Sequence, residues 1–91
     1  MARPRGKRFP AYALLGNALE VLRRVAAAGP GGTTVPRLVR QLGWHRNTVH
    51  RLLRVMETEV PGLEVRLRGA PRPSIYRLKE HRAWSAALRR V

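Results

Sequence analysis

The chain has 91 residues, with 19 Lys and Arg against 5 Asp and Glu, a formal net charge of +14 and no cysteine. That length fits one domain with a modest core and leaves little chain for an enclosed active site; without cysteine, disulfides and thiolate metal sites are excluded. Charge of this sign attracts polyanions, so nucleic acid is the first partner to consider and an anionic membrane surface the second.

The basic residues are overwhelmingly arginine. A GC-rich coding sequence accounts for part of that preference but not for the shortage of acids. No run of about 18 apolar residues occurs, so no transmembrane helix is expected. The basic N-terminus resembles the start of a signal peptide, but Gly16, Asn17 and Glu20 interrupt the apolar stretch behind it. A cytoplasmic, nucleoid-associated protein is the expected reading.

In chain order, residues 1–9 are expected to form a disordered basic arm carrying Arg3, Arg5, Lys7 and Arg8, with Pro4 and Gly6 breaking any periodicity. Pro10 suits the first turn of a helix. From Ala11 to Ala28, Leu15, Leu19, Leu22 and Val25/Ala26 recur every three or four residues, opposite Asn17, Glu20, Arg23 and Arg24. This is the pattern of an amphipathic helix. Gly29-Pro30-Gly31-Gly32 stops it. A phosphate-loop reading of those glycines fails, because no Gly-Lys-Ser/Thr follows and no strand precedes.

Thr34 is the expected N-cap of a second helix, with Pro36 in its first turn and Leu38, Val39 and Leu42 as its buried stripe. Gly43 can take the left-handed conformation that ends it. Trp44 to Glu57 then form the third helix. At 100° per residue, Val49, Leu52, Leu53 and Met56 share one side, while Asn47, Arg51 and Arg54 centre the other, flanked by Arg46, Thr48 and His50. With His45 as N-cap, Trp44 and Val49 are placed for a hydrophobic staple. After Pro61-Gly62 the period becomes two: Leu63, Val65 and Leu67 alternate with Glu64, Arg66 and Arg68. Residues 69–74 read as a turn, and Ile75 to Leu78 return as a strand with Tyr76 and Leu78 on one face. Residues His81 to Val91 read as a short helix with Trp84, Leu88 and Val91 along one side. They form either a dimer surface or a face packed back on the first helix.

These elements make an α+β, mostly α fold: a winged helix-turn-helix with a three-helix core, a β-hairpin wing and a short C-terminal helix. The divisions are arm 1–9, winged helix 10–80 and C-terminal helix 81–91. Residues Ala18 to Glu59 resemble the N-terminal domain of isocitrate-lyase-regulator (IclR)-type transcription regulators. The likeness rests on the Ala-Leu-x-Val-Leu start, the Gly/Pro-rich break, Leu-Val-Arg-Gln-Leu-Gly and Arg-Asn-Thr-Val-His-Arg-Leu-Leu. It implies DNA contacts at Arg46, Asn47, Thr48, His50 and Arg51. The chain departs from the family in having His45 where a small capping residue is common, and in lacking the large effector-binding domain, so metabolite sensing is not expected.

The chemistry of the candidate residues agrees. Arg46 and Arg51 can pair bidentately with guanine and Asn47 with adenine, while Thr48 and His50 reach a phosphate or a base edge. Arg54 completes that face. Arg68 and Arg72 sit at the wing tip, where arginine can enter a minor groove; the alternative is a merely solvated hairpin. Pro-Arg-Gly before a basic residue in the arm faintly resembles an AT-hook, with non-specific phosphate contact as the plainer reading.

Catalytic and metal chemistry find no support. His45 and His50 stand about 140° apart on a helix, His81 lies elsewhere, and Ser74 and Ser85 lack a Gly-flanked nucleophile context. Glu57 and Glu59 read as solvated helix-end charges, and Trp44 and Trp84 as packing residues. No cofactor or enzyme activity is expected. The expected function is a sequence-specific regulator of transcription on double-stranded DNA, with a possible homodimer through Trp84, Leu88 and Val91. Alternatives are a DNA-architectural or replication-accessory protein, a structured-RNA binder, and a module gripping an acidic partner such as RNA polymerase. An aromatic content of 5% argues against single-strand stacking.

Overall fold

The computed structural model describes the backbone of residues 11–90 and the side chains of residues 16–90. The expected arm with Arg3, Arg5, Lys7 and Arg8, the Pro10 helix start, the Leu15 side chain and Val91 lie outside the described residues.

Among the described residues the helices and strands follow in the order α1 (Ala11–Ala27), α2 (Val35–Leu42), α3 (Arg46–Glu59), β1 (Leu63–Arg66), β2 (Ile75–Leu78) and α4 (His81–Leu88), with a 3-10 turn at Gly29–Gly31 between α1 and α2. This is the α+β winged helix-turn-helix expected from the periodicities. The core takes Val21, Leu22, Val25 and Ala26 from α1, Val35 and Leu38 from α2, and Val49, Leu52, Leu53 and Met56 from α3. Tyr76, Leu78 and Leu88 complete it. Each such aliphatic side chain stabilises the fold by about 1.5–3 kcal/mol on burial. Leu19, Val39, Leu42, Trp44 and Trp84 pack at its margin. Val21, absent from the predicted stripe, is wholly buried; it lies four residues before Val25 and so belongs to the same face.

Local chemistry sets the helix ends. The Thr34 Oγ1 accepts from the Arg37 N–H at 3.3 Å, as an N-cap should. Gly43, at φ +71°, is left-handed and donates to the Val39 carbonyl. The His45 Nδ1 accepts from the Asn47 N–H at 3.0 Å, so an imidazole performs the capping that a small polar residue usually does. That bond requires the tautomer protonated at Nε2.

The wing is antiparallel, pairing Leu63 with Leu78, Val65 with Tyr76 and Arg66 with Ile75. Tyr76 and Leu78 face inward as expected. Leu67 does not: β1 ends at Arg66, and Leu67 is 79% exposed. The ladder ends before it, and Leu67 instead borders the open groove between α2, α3 and the wing.

A third strand segment was not legible in the sequence. Thr33 bridges Tyr76, with the Thr33 N–H donating to the Tyr76 carbonyl at 2.8 Å and the Tyr76 N–H to the Thr33 carbonyl at 2.7 Å. Gly32 makes this approach possible. It sits at φ +75°, and a Cβ there would lie 2.6 Å from the Tyr76 carbonyl oxygen and 2.6 Å from the Ile75 Cγ2. The linker after α1 is thereby tied to the wing.

The C-terminal segment forms a short helix. The helix ends at Leu88, short of the expected Val91, and packs chiefly on α1. Leu88 is buried in the protomer core and Trp84 is half-buried at its margin.

Candidate nucleic-acid interface

α3 divides cleanly. Burial of Val49, Leu52, Leu53 and Met56 against α1 and α2 fixes its rotation and turns Arg46, Asn47, Arg51 and Arg54 fully outward. Thr48 and His50 lie half-buried at the two flanks. Among the described residues, no side chain of this face is held in an ion pair or an intramolecular side-chain hydrogen bond. The guanidinium and amide donors are therefore free for a ligand, and unpaired arginines of one sign on a helix are poised for phosphate or guanine oxygens. The acids of α3, Glu57 and Glu59, are confined to its C-terminal end.

A concave groove of about 860 Å³ separates the start of α3 from the wing. Val35 and Val39 of α2 and Tyr76 of β2 contribute apolar wall, and Arg40, Arg46, His50 and Arg72 supply its polar groups. No acid lines it. Arg40 was not among the residues singled out from sequence. The usable signal was its position four residues after exposed Pro36, on the solvated side of α2.

The wing arginines are not alike. The Arg68 Nε donates to the Pro73 carbonyl at 2.9 Å, which ties the exposed guanidinium across the loop. Arg72 is exposed at the tip, and its N–H closes the turn onto the Gly69 carbonyl. Arg77 is engaged instead in a cross-strand pair with Glu64 at 2.7 Å. Exposed pairs of this kind contribute about 0–1 kcal/mol. Beneath the wing, burial raises the Tyr76 pKa above its ordinary value, and Glu57 adds to the rise while Arg54 opposes it.

A basic, acid-free helix face beside a groove and a hairpin is the geometry of a DNA reader, and one further observation decides the family. The model of the IclR helix-turn-helix domain matches residues 14–59, just over half of the chain. The chain belongs to the IclR helix-turn-helix family. It is therefore a DNA-binding protein of the transcription-regulator class. No curated protein and no solved structure gives a significant match. The matched span of the IclR domain runs from α1 to the end of α3, and so takes in Arg40 and the whole candidate face while leaving out the wing and α4. Among the described residues no group of three metal-ligating side chains occurs, and no helix is long and apolar enough to cross a membrane.

Proposed function

We propose that this IclR-type chain is a sequence-specific transcriptional regulator that lays α3 in the major groove of duplex DNA. The observation that carries this reading is the outward, unpaired set of Arg46, Asn47, Arg51 and Arg54 on a helix whose rotation the core fixes. Arg51 and Arg46 take guanine, Asn47 takes adenine, and Arg54 takes a phosphate or base edge. Thr48 and His50 reach the backbone on either flank. The groove between α3 and the wing seats one phosphate strand, with Arg40 and Arg72 on its two sides, and Arg68 extends the contact toward the minor groove. The arm residues Arg3, Arg5, Lys7 and Arg8 add phosphate contacts. The protein works in the cytoplasm, on the nucleoid.

One winged helix covers one half-site, so a useful operator calls for two copies on a palindrome. Since Leu88 is committed to the protomer core, Trp84 is the remaining described candidate for the contact between them.

Selection from random duplex DNA, read at two salt concentrations with structured RNA alongside, tests the reading. An enriched motif is expected, with Arg51→Ala weakening it about 5- to 150-fold, the equivalent of one bidentate contact of roughly 1–3 kcal/mol. With about 5–8 phosphates neutralised, log K should fall against log salt with a slope of roughly −4.5 to −7. Equal binding to every sequence, unchanged by Asn47→Ala, would refute specific regulation.

A further inference from the structure

A second basic surface lies on α4, and the recognition face makes no use of it. Arg82 and Arg89 are seven residues apart, two helical turns, and so share one side of the helix. Arg90 follows in the closing turn. All three are exposed, and none has an acidic partner among the described residues. Arg23 of α1 approaches the same place: with Ser85 and Arg89 it lines a cleft of about 240 Å³ between the two helices. Arg23 makes one long contact with Glu20, at 3.5 Å through a single terminal nitrogen. No acid lines that cleft. The nearest acid in sequence, Glu80, instead lines a separate cleft with Trp84 and Lys79.

Placement decides what this surface can meet. α4 packs on α1, β2 and the Gly29–Gly31 turn, whereas α3 packs on α1, α2 and β1. α1 is thus a neighbour of both helices, and α4 makes no substantial packing with α3 among the described residues. Arg82 and Arg89 are exposed while Leu88 of the same helix is buried, so the arginines lie off the core-facing side of α4.

We propose that Arg82, Arg89, Arg90 and Arg23 form a second DNA-backbone site, so that one chain bridges two duplexes. The proposal rests on the reading of α3 as the face that holds the first. Guanidinium groups pair bidentately with phosphodiester oxygens. No Asn or Gln accompanies these arginines on α4, so the second duplex is held through its backbone without base readout. The architectural consequence is that a chain seated on its operator gathers a second, unrelated segment of DNA.

The test uses the full chain, a bead-bound duplex carrying its selected site, and a labelled free duplex of random sequence. The wild type is expected to recover the free duplex. The Arg82→Gln, Arg89→Gln, Arg90→Gln triple variant should hold the bead-bound duplex within about twofold of wild type and lose recovery of the second at least tenfold. Four phosphate contacts give a salt slope of about −3.6, so raising salt from 50 to 200 mM should weaken the second contact about 150-fold. Unimpaired recovery by the triple variant would overturn the proposal, assigning any bridging to paired copies or to the arm. So would a wild type that holds the bead-bound duplex and gathers no second one. If that chain instead retains a Glu-rich peptide through these arginines, the surface belongs to an acidic protein. Failure to hold even the bead-bound duplex would refute the reading of α3 as well, and the bead-bound signal reports that separately.

Discussion

Replacing Gly32 with alanine tests the contact that ties the linker after α1 to the wing. The backbone there has φ +75° and ψ −173°, a region essentially restricted to glycine and costing other residues about 1–3 kcal/mol. The new Cβ would also lie 2.6 Å from the Tyr76 carbonyl oxygen, so the linker must move off β2. That movement stretches the two Thr33–Tyr76 hydrogen bonds, which contribute about 1 kcal/mol each. Together the loss should reach about 3–5 kcal/mol. At about 4–8 °C per kcal/mol for a domain of this size, Tm should fall by at least about 12 °C. Gly43→Ala provides the comparison. Its φ of +71° with ψ of +21° is ordinary left-handed backbone, and nothing lies within 4 Å of the added Cβ, so the cost is only about 1–2 kcal/mol. Thermal unfolding of both variants by circular dichroism checks the difference. A loss for Gly32→Ala no greater than that for Gly43→Ala would refute the bridge and the close approach on which it depends.

His45→Ala should cost roughly 1 kcal/mol by removing the acceptor for the Asn47 N–H, while His45→Ser should restore most of it; urea unfolding measures both, and an alanine variant as stable as wild type would show that the imidazole does not cap. Tyr76 should ionise above the ordinary phenol value of 10.0. Since its folded pKa is raised, its stabilisation is complete below the unfolded pKa and is lost as pH rises through the folded one. Tyrosinate absorbance of wild type against Tyr76→Phe, with unfolding followed over the same alkaline range, reads that shift.

Much of the candidate face was legible because a helix converts spacing into direction. The apolar set Val49, Leu52, Leu53 and Met56 determines which way α3 is rotated, and Arg46, Asn47, Arg51 and Arg54 must then face outward. The Thr34 cap, the Gly43 turn and the inward Tyr76 and Leu78 were equally local. Leu67 shows where alternation misleads. A period of two says which residues share a face, but it does not say where the covering core ends. Arg40 and Arg72 illustrate a different gap: their convergence on one groove depends on the angle at which the wing stands against α2.

What the sequence determined alone is the inventory of elements, the rotation of α3 and the excess of positive charge, all set by residues within a few positions of one another. The tertiary structure decided the rest. It brought Thr33 onto Tyr76, buried Leu88 in the protomer core and packed α4 chiefly on α1. Those outcomes depend on contacts between residues far apart in the chain. No local period encodes them, because they arise only when the hydrophobic faces of several elements are buried together.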